Sequence, residues 1–230
     1  YEGRTVNQII KEGFPVSAIL GLEAIFIALS SGIALGTIAA VFRSKWQDHL
    51  SMLISIIGIS IPNFIMATFL QYLFAVKLNI FPVARWGTFD HTVLPALALA
   101  ALPTAFIARL TRANMVETLE QDYIQTAYSK GLAKKQIIFK HVLKNSLLPV
   151  VTYLGPLSSG IFTGSFIIEK IFGIPGLGSW FVMSIINRDY TVIMGVTVFY
   201  SALLITGVFL TDLMYTFMDP RIQLRSKGVK

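Results

Sequence analysis

Five long apolar runs constrain this chain more tightly than any motif it carries: Val16 to Phe42, Leu50 to Val76, Thr92 to Leu110, Leu147 to Ile168 and Thr191 to Met218. A hydrocarbon core about 30 Å thick is crossed by roughly 20 residues of helix. Inside it, a single helix satisfies its own backbone hydrogen bonds. The runs therefore predict an all-α membrane protein with five transmembrane helices spread over residues 16–218. Pro95 and Pro103 interrupt the third run. It is still expected to span, because neighbouring helices take up the carbonyls that proline frees. Composition agrees, with 54% hydrophobic and 13% charged residues, outside the range of a soluble domain. The absence of cysteine excludes a disulfide framework, a thiolate metal site and a cysteine nucleophile.

The net charge of +7 reads as a topology signal, with no nucleic-acid partner implied, once the cations are assigned to connections. Alternate connections carry unequal shares. The 42–49 turn, the 109–146 loop and the 219–230 tail (Arg221, Arg225, Lys227, Lys230) hold 13 Lys and Arg, against 6 on the other side. Orientation by this bias places the 109–146 loop and the C-terminus in the cytoplasm, with Tyr1 and the 1–15 segment outside. Residues 1–15 are neither a signal peptide nor an apolar span. An external start without a leader implies an upstream helix that this chain lacks.

The 109–146 loop is too long and too patterned to be a plain connection. Met115, Leu119, Tyr123 and Ala127 recur at four-residue spacing, with Val116 and Ile124 widening the stripe and Glu117, Glu120 and Asp122 off it. This predicts one amphipathic helix from Met115 that stops at Gly131, where Lys130 meets the C-terminal dipole and glycine takes the left-handed cap. A second helix, Lys134 to Lys144, collects Ile137, Ile138, His141 and Val142 on one face. Such a pair could lie on anionic lipid. The acidic first half and the small residues Thr126, Ala127 and Ser129 fit a helix-in-groove contact with a soluble partner better.

Other candidates carry less. GIPGLG at Gly173 to Gly178 lacks the Lys-Ser/Thr ending and the preceding strand of a phosphate loop. It reads as an outer turn that re-enters or hugs the surface, with Trp180 and Phe181 at interfacial depth. Glu23 and Asp212 are the acidic residues expected farthest inside apolar runs, and so the candidates for an ion pathway. Pro62, Pro95, Pro103, Pro149 and Pro156 predict bent helices. His49, His91 and His141 are too scattered for a metal cluster. No GxxxxGK[ST] occurs, so ATP hydrolysis would fall to another chain.

Gln125-Thr126-Ala127-xxx-Gly131 resembles the Glu-Ala-Ala-xxx-Gly loop of membrane subunits of binding-protein-dependent ATP-binding-cassette importers, and DYxxTAxxKG is similar to its peptide-permease branch. FGIPGLG at Phe172 to Gly178, NRDY at Asn187 to Tyr190 and MDPRI at Met218 to Ile222 resemble further motifs of oligopeptide-permease B subunits. Two departures stand out: Gln125 occupies the glutamate position, and His141-Val142-Leu143-Lys144 replaces Ile-x-Leu-Pro, with proline delayed to Pro149. The resemblance implies a type I importer core, and a coupling helix carrying Asp122, Tyr123, Gln125, Thr126, Ala127 and Gly131. It also implies a related second permease subunit, two ATP-binding subunits that hold ATP and Mg, and an external peptide-binding protein, in a bacterial or archaeal cytoplasmic membrane. The chain itself would be no enzyme and hold no cofactor. Dipeptides, oligopeptides, nickel chelates and oligosaccharides are the substrates it leaves open. An ion-coupled transporter or channel using Glu23 or Asp212, and a scaffold that only recruits a cytoplasmic protein, are the rival readings.

Overall fold

The structure, a computed structural model, describes residues 3–218, apart from the side chains of residues 159, 162–164 and 214–218. Tyr1, the 219–230 tail with its four cations, and the MDPRI motif beyond Met218 lie outside the described residues. The chain folds as a helical bundle: α1 (Val6–Val41), α2 (Trp46–Ser60), α3 (Asn63–Leu70, prolonged by a π-helical stretch Gln71–Lys77) and α4 (Asp90–Leu119). There follow α5 (Asp122–Ser129), α6 (Lys134–Gln136), a π-helical stretch Ile137–Val142 and α7 (Leu143–Ser146). The remainder is α8 (Leu148–Gly164), α9 (Phe166–Phe172), α10 (Leu177–Ile186) and α11 (Tyr190–Met218).

Helices α1, α4 and α11 are each long and apolar enough to cross a membrane, and counting α2 with α3 and α9 with α10 as broken spans raises the number to five. The expected fourth span, Leu147 to Ile168, is not one of these five, its apolar helix α8 being too short, and the α9–α10 pair stands in the count instead. The second span is bent by 106° between α2 and the Asn63–Lys77 segment, at the Pro62 that predicts a bend. Its cause is local. Ile61, forced out of the helical region ahead of Pro62, is extended at φ −94°, ψ 120°. Pro95 and Pro103 sit inside a continuous α4, as Pro15 does in α1. Helix α1 starts ten residues before the expected Val16. Thr5 and Gln8 form a reciprocal capping box, the Gln8 amide donating to Thr5 Oγ1 at 3.3 Å and the Thr5 amide to Gln8 Oε1 at 2.9 Å.

The core is the parallel contact of α1 with α4. Along α1 the buried positions Gly21, Ala24, Ala28, Gly32 and Gly36 form a small-residue stripe, which lets two membrane helices approach closely. A Cβ on Gly36 would sit 2.5 Å from the Ala108 carbonyl oxygen, and one on Gly32 2.8 Å from Ile107 Cβ. Leu20, Leu94, Leu99, Ile107, Val150 and Ile168 fill the remaining volume. At one end of the bundle, Val6, Ile9 and Phe14 of α1 pack with Leu177, Phe181, Val196 and Tyr200 of α10 and α11. The other end carries the 42–45 turn, α5 and residues 134–146.

Candidate functional site

The 109–146 region is not the uniform helix pair that its periodicity suggests. Helix α4 runs on unbroken through Met115 to Leu119, and the chain then breaks at Gln121, extended at φ −74°, ψ 144°. The expected single helix from Met115 to Gly131 is therefore two. Gln121 and Asp122 supply the reason, a polar pair in which Asp122 sits better in the first turn of a new helix, against its positive dipole end, than inside an old one. Helix α5 has only 8 residues, too few to stand alone. It is held by Ile124, fully buried, and Ala127, 8% exposed, which pack against Ala40, Met115, Ile137, Ile138 and Val142. The far end follows the expected chemistry. Gly131 is left-handed at φ +77°, the Leu132 amide donates to the Ala127 carbonyl at 3.3 Å, and the Gly131 amide to the Tyr128 carbonyl at 2.9 Å. These are the two bonds of a Schellman cap, and Leu132 joins the same apolar cluster.

Docking by Ile124 and Ala127 fixes what α5 shows to the outside. Asp122, Tyr123, Gln125, Thr126 and Gly131 lie together on an exposed surface. Ala127, the sixth residue singled out from the sequence, faces inward. Tyr123, expected on the apolar stripe, is 44% exposed and its hydroxyl accepts from Asn145 Nδ2 at 2.9 Å. Thr126 and Ser129 turn their hydroxyls to the Asp122 and Gln125 carbonyls, at 3.0 and 3.1 Å. Exposed Tyr128 and Phe139 add aromatic surface nearby.

Helices α2 and α4 are joined by an ion pair that the sequence does not announce. Arg112 Nε and Nη2 donate to Asp48 Oδ1 and Oδ2, both at 2.7 Å, in the two-point geometry suited to a guanidinium. The Asp48 side chain is 4% exposed, and its Oδ2 also accepts from the Ser44 amide at 2.9 Å. This pair ties the first turn of α2, and through the Ser44 amide the preceding turn, to α4. Arg43 and Glu120 form a second, exposed pair, of small energetic weight because solvent screens it.

A cleft of about 930 Å³ opens between α2, α4 and α8, walled by Met52, Ile59, Phe106, Arg109, Tyr153 and Pro156 among others. Phe106 and Tyr153 stack across it with ring centroids 5.4 Å apart and planes 13° from parallel. A smaller cavity of about 250 Å³ shares Tyr153 and Pro156 and continues past Pro103 and Gly160.

The most buried carboxylates are neither Glu23, which is half-buried, nor Asp212, which is exposed. They are Glu169, with no exposed surface, and Asp48. Glu169 Oε1 accepts from Ser17 Oγ at 2.7 Å and Ser165 Oγ at 2.6 Å, while Oε2 accepts from the Ser179 amide at 2.9 Å. The Leu177 amide donates to Ser17 Oγ at 2.9 Å. Ser17 and Glu169 thus cap the N-terminus of α10 from two other helices, where a carboxylate is favoured. They hold α10 at 93° to α9. Side chains at Gly176 or Gly178 would collide with this carboxylate, so the glycines of GIPGLG admit an internal anion. Trp180 and Phe181, expected at interfacial depth, are half-buried, Trp180 beneath the Arg4 guanidinium and Phe181 beside Phe166. Among the described residues, no group of three His, Cys, Asp or Glu side chains could hold a metal.

Residues 32–224 match the family described as binding-protein-dependent transport system inner membrane component. The chain is 57% identical over 224 residues to the dipeptide transport system permease protein DppB of Bacillus subtilis (strain 168), covering 97% of this chain and 73% of that one. It is 40% identical over 225 residues to the oligopeptide transport system permease protein OppB of Escherichia coli (strain K12), covering 97% and 74%. Among solved structures, the MetNI methionine transporter in an inward-facing conformation superposes with a TM-score of 0.77 at 18% identity, covering 92% of this chain and 97% of that one. An amino acid transporter crystallised with histidines gives 0.71 at 15%, covering 91% and 94%. At these identities the two structures speak for the fold alone.

Proposed function

Since the chain belongs to the family of binding-protein-dependent transport system inner membrane components, we propose that it is the permease subunit of an ATP-driven importer of short peptides, coupled to its ATPase through α5. Identity of 57% to a dipeptide permease and 40% to an oligopeptide permease supports peptides over nickel chelates or oligosaccharides. The chain pairs with a second, related permease subunit. Two ATP-binding subunits hold ATP and Mg, and an external binding protein delivers the peptide. The subunit carries no catalytic residue of its own. The cation bias supports a multi-pass orientation in the cytoplasmic membrane of a bacterium or archaeon, with α5 and the C-terminus inside and Tyr1 outside.

The observation that carries the coupling assignment is how α5 is mounted. A short helix clamped to α4 by Ile124 and closed by the Gly131 cap presents Tyr123, Gln125 and Thr126 outward. Force applied there reaches the α1–α4 core without a flexible joint. When the ATP-binding subunits close, two such helices approach one another and the bundle passes between inward and outward openings. A hydroxyl or small side chain at the contact suits insertion into a groove.

Copurification from membranes tests this. Thr126→Trp enlarges the exposed face and leaves Ile124 and Ala127 docked, so the chain still inserts at wild-type levels. It is expected to lose the ATP-binding subunit and peptide-stimulated ATP hydrolysis. Full retention of both by Thr126→Trp, with the wild-type complex as control, would overturn the assignment of α5. Ala127→Asp is the poorer probe, because Ala127 is buried in its own subunit.

A further inference from the structure

We propose that the guanidinium of Arg109 receives the C-terminal carboxylate of a peptide lodged in the cleft between α2, α4 and α8. The inference rests on the peptide-importer reading above and deepens it. The cleft, at about 930 Å³, lies in the size range of small-ligand sites. Its lining includes two guanidinium groups and no carboxylate. Those two groups are not equivalent. Arg112 spends two of its N–H donors on Asp48, which neutralises it, whereas no hydrogen bond or ion pair engages Arg109 among the described residues, and its side chain is exposed in the cleft.

Chemistry beside Arg109 favours a peptide terminus over a free inorganic anion. Phe106 lies one helical turn before it on the same face of α4 and stacks on Tyr153 of α8, so an apolar aromatic wall leads directly to the cation. The other walls, Met52, Ile59, Pro149 and Pro156, are uncharged. A cleft with one available charge can select only for a group that every cargo carries. Among peptides of varied side chains, the terminal carboxylate is such a group, and a planar guanidinium binds it through two parallel hydrogen bonds that lysine cannot reproduce.

The test uses the whole complex, nucleotide-free, in nanodiscs containing phosphatidylglycerol, without the binding protein. Equilibrium binding is measured for an N-terminally labelled Ala-Phe-Ala peptide as the free acid and as the C-terminal amide. The free acid is expected to bind about tenfold more tightly than the amide, as a charge-assisted hydrogen bond implies. Arg109→Gln is expected to bring the acid to the level of the amide without weakening the amide, which shows the cleft intact, and Arg109→Lys to keep part of the preference. Equal binding of acid and amide by the wild type, or an undiminished preference in Arg109→Gln, overturns the proposal. So does loss of phosphatidylglycerol from Arg109→Gln with peptide binding unchanged, which would make a lipid phosphate the occupant. Failure of the importer reading itself shows elsewhere, as absence of peptide-stimulated ATP hydrolysis in the wild-type complex with its binding protein.

Discussion

Glu169 is the residue on which the α10 end of the bundle depends most directly. Three hydrogen bonds, from Ser17 of α1, Ser165 between α8 and α9, and Ser179 of α10, converge on one carboxylate with no exposed surface. Glu169→Leu would leave the Ser17 and Ser165 hydroxyls and the first turn of α10 without their acceptor. Burying unpaired donors costs about 1–3 kcal/mol for each group, so thermal unfolding of the detergent-solubilised complex should fall by several degrees. Glu169→Gln keeps one acceptor oxygen and should fall less. Equal melting of wild type and Glu169→Leu would show that α10 is held by its apolar contacts alone. Nothing local identifies this residue in the sequence. Glu169 stands in a run of ordinary helical pattern, and its partner Ser17 is 152 residues away, whereas Glu23 and Asp212 attract notice only by standing among apolar neighbours.

At the scale of elements, α5 is a helix whose existence depends on its docking. Ile124→Ala removes its fully buried anchor, at a cost of about 2–5 kcal/mol for such a core truncation. The expected result is an undocked α5, seen as faster tryptic cleavage after Lys130 and Lys134 and as ATP hydrolysis that no longer responds to peptide. Gly131→Val should produce a milder form of the same effect, since a side chain in the left-handed region costs roughly 1–2 kcal/mol. Unchanged cleavage in both variants would mean that the Schellman cap and the Ile124 anchor do not set the stability of the loop. The second half of this region was legible in advance: Ile137, Ile138 and Val142 are buried and His141 is half-buried, as their spacing implies. The break at Gln121 was not legible. Periodicity carries on through it, from Met115 and Leu119 to Ala127, and only the packing of α5 across Met115 and Val142 shows the chain changing direction.

For the whole molecule, the lack of native cysteine makes sidedness directly measurable. A single cysteine replacing Thr126, and another replacing Gly87, where a side chain meets no neighbouring atom, should react with a membrane-impermeant maleimide from opposite sides of the membrane. Thr126→Cys is expected to react only in inverted vesicles and Gly87→Cys only in intact cells. Labelling from the same side would contradict the cation-based topology. The sequence by itself determined the helical class, the long apolar helices α1, α4 and α11, the left-handed stop at Gly131 and the family likeness, because apolar length, glycine backbone freedom and short motifs are properties of contiguous residues. Tertiary structure alone decided the inward turn of Ala127 and the pairing of Arg112 with Asp48 that leaves Arg109 open to the cleft. These are contacts between residues far apart in the chain. Which of two neighbouring arginines is neutralised, or which of several carboxylates is buried, is fixed only when helices from distant parts of the sequence come together.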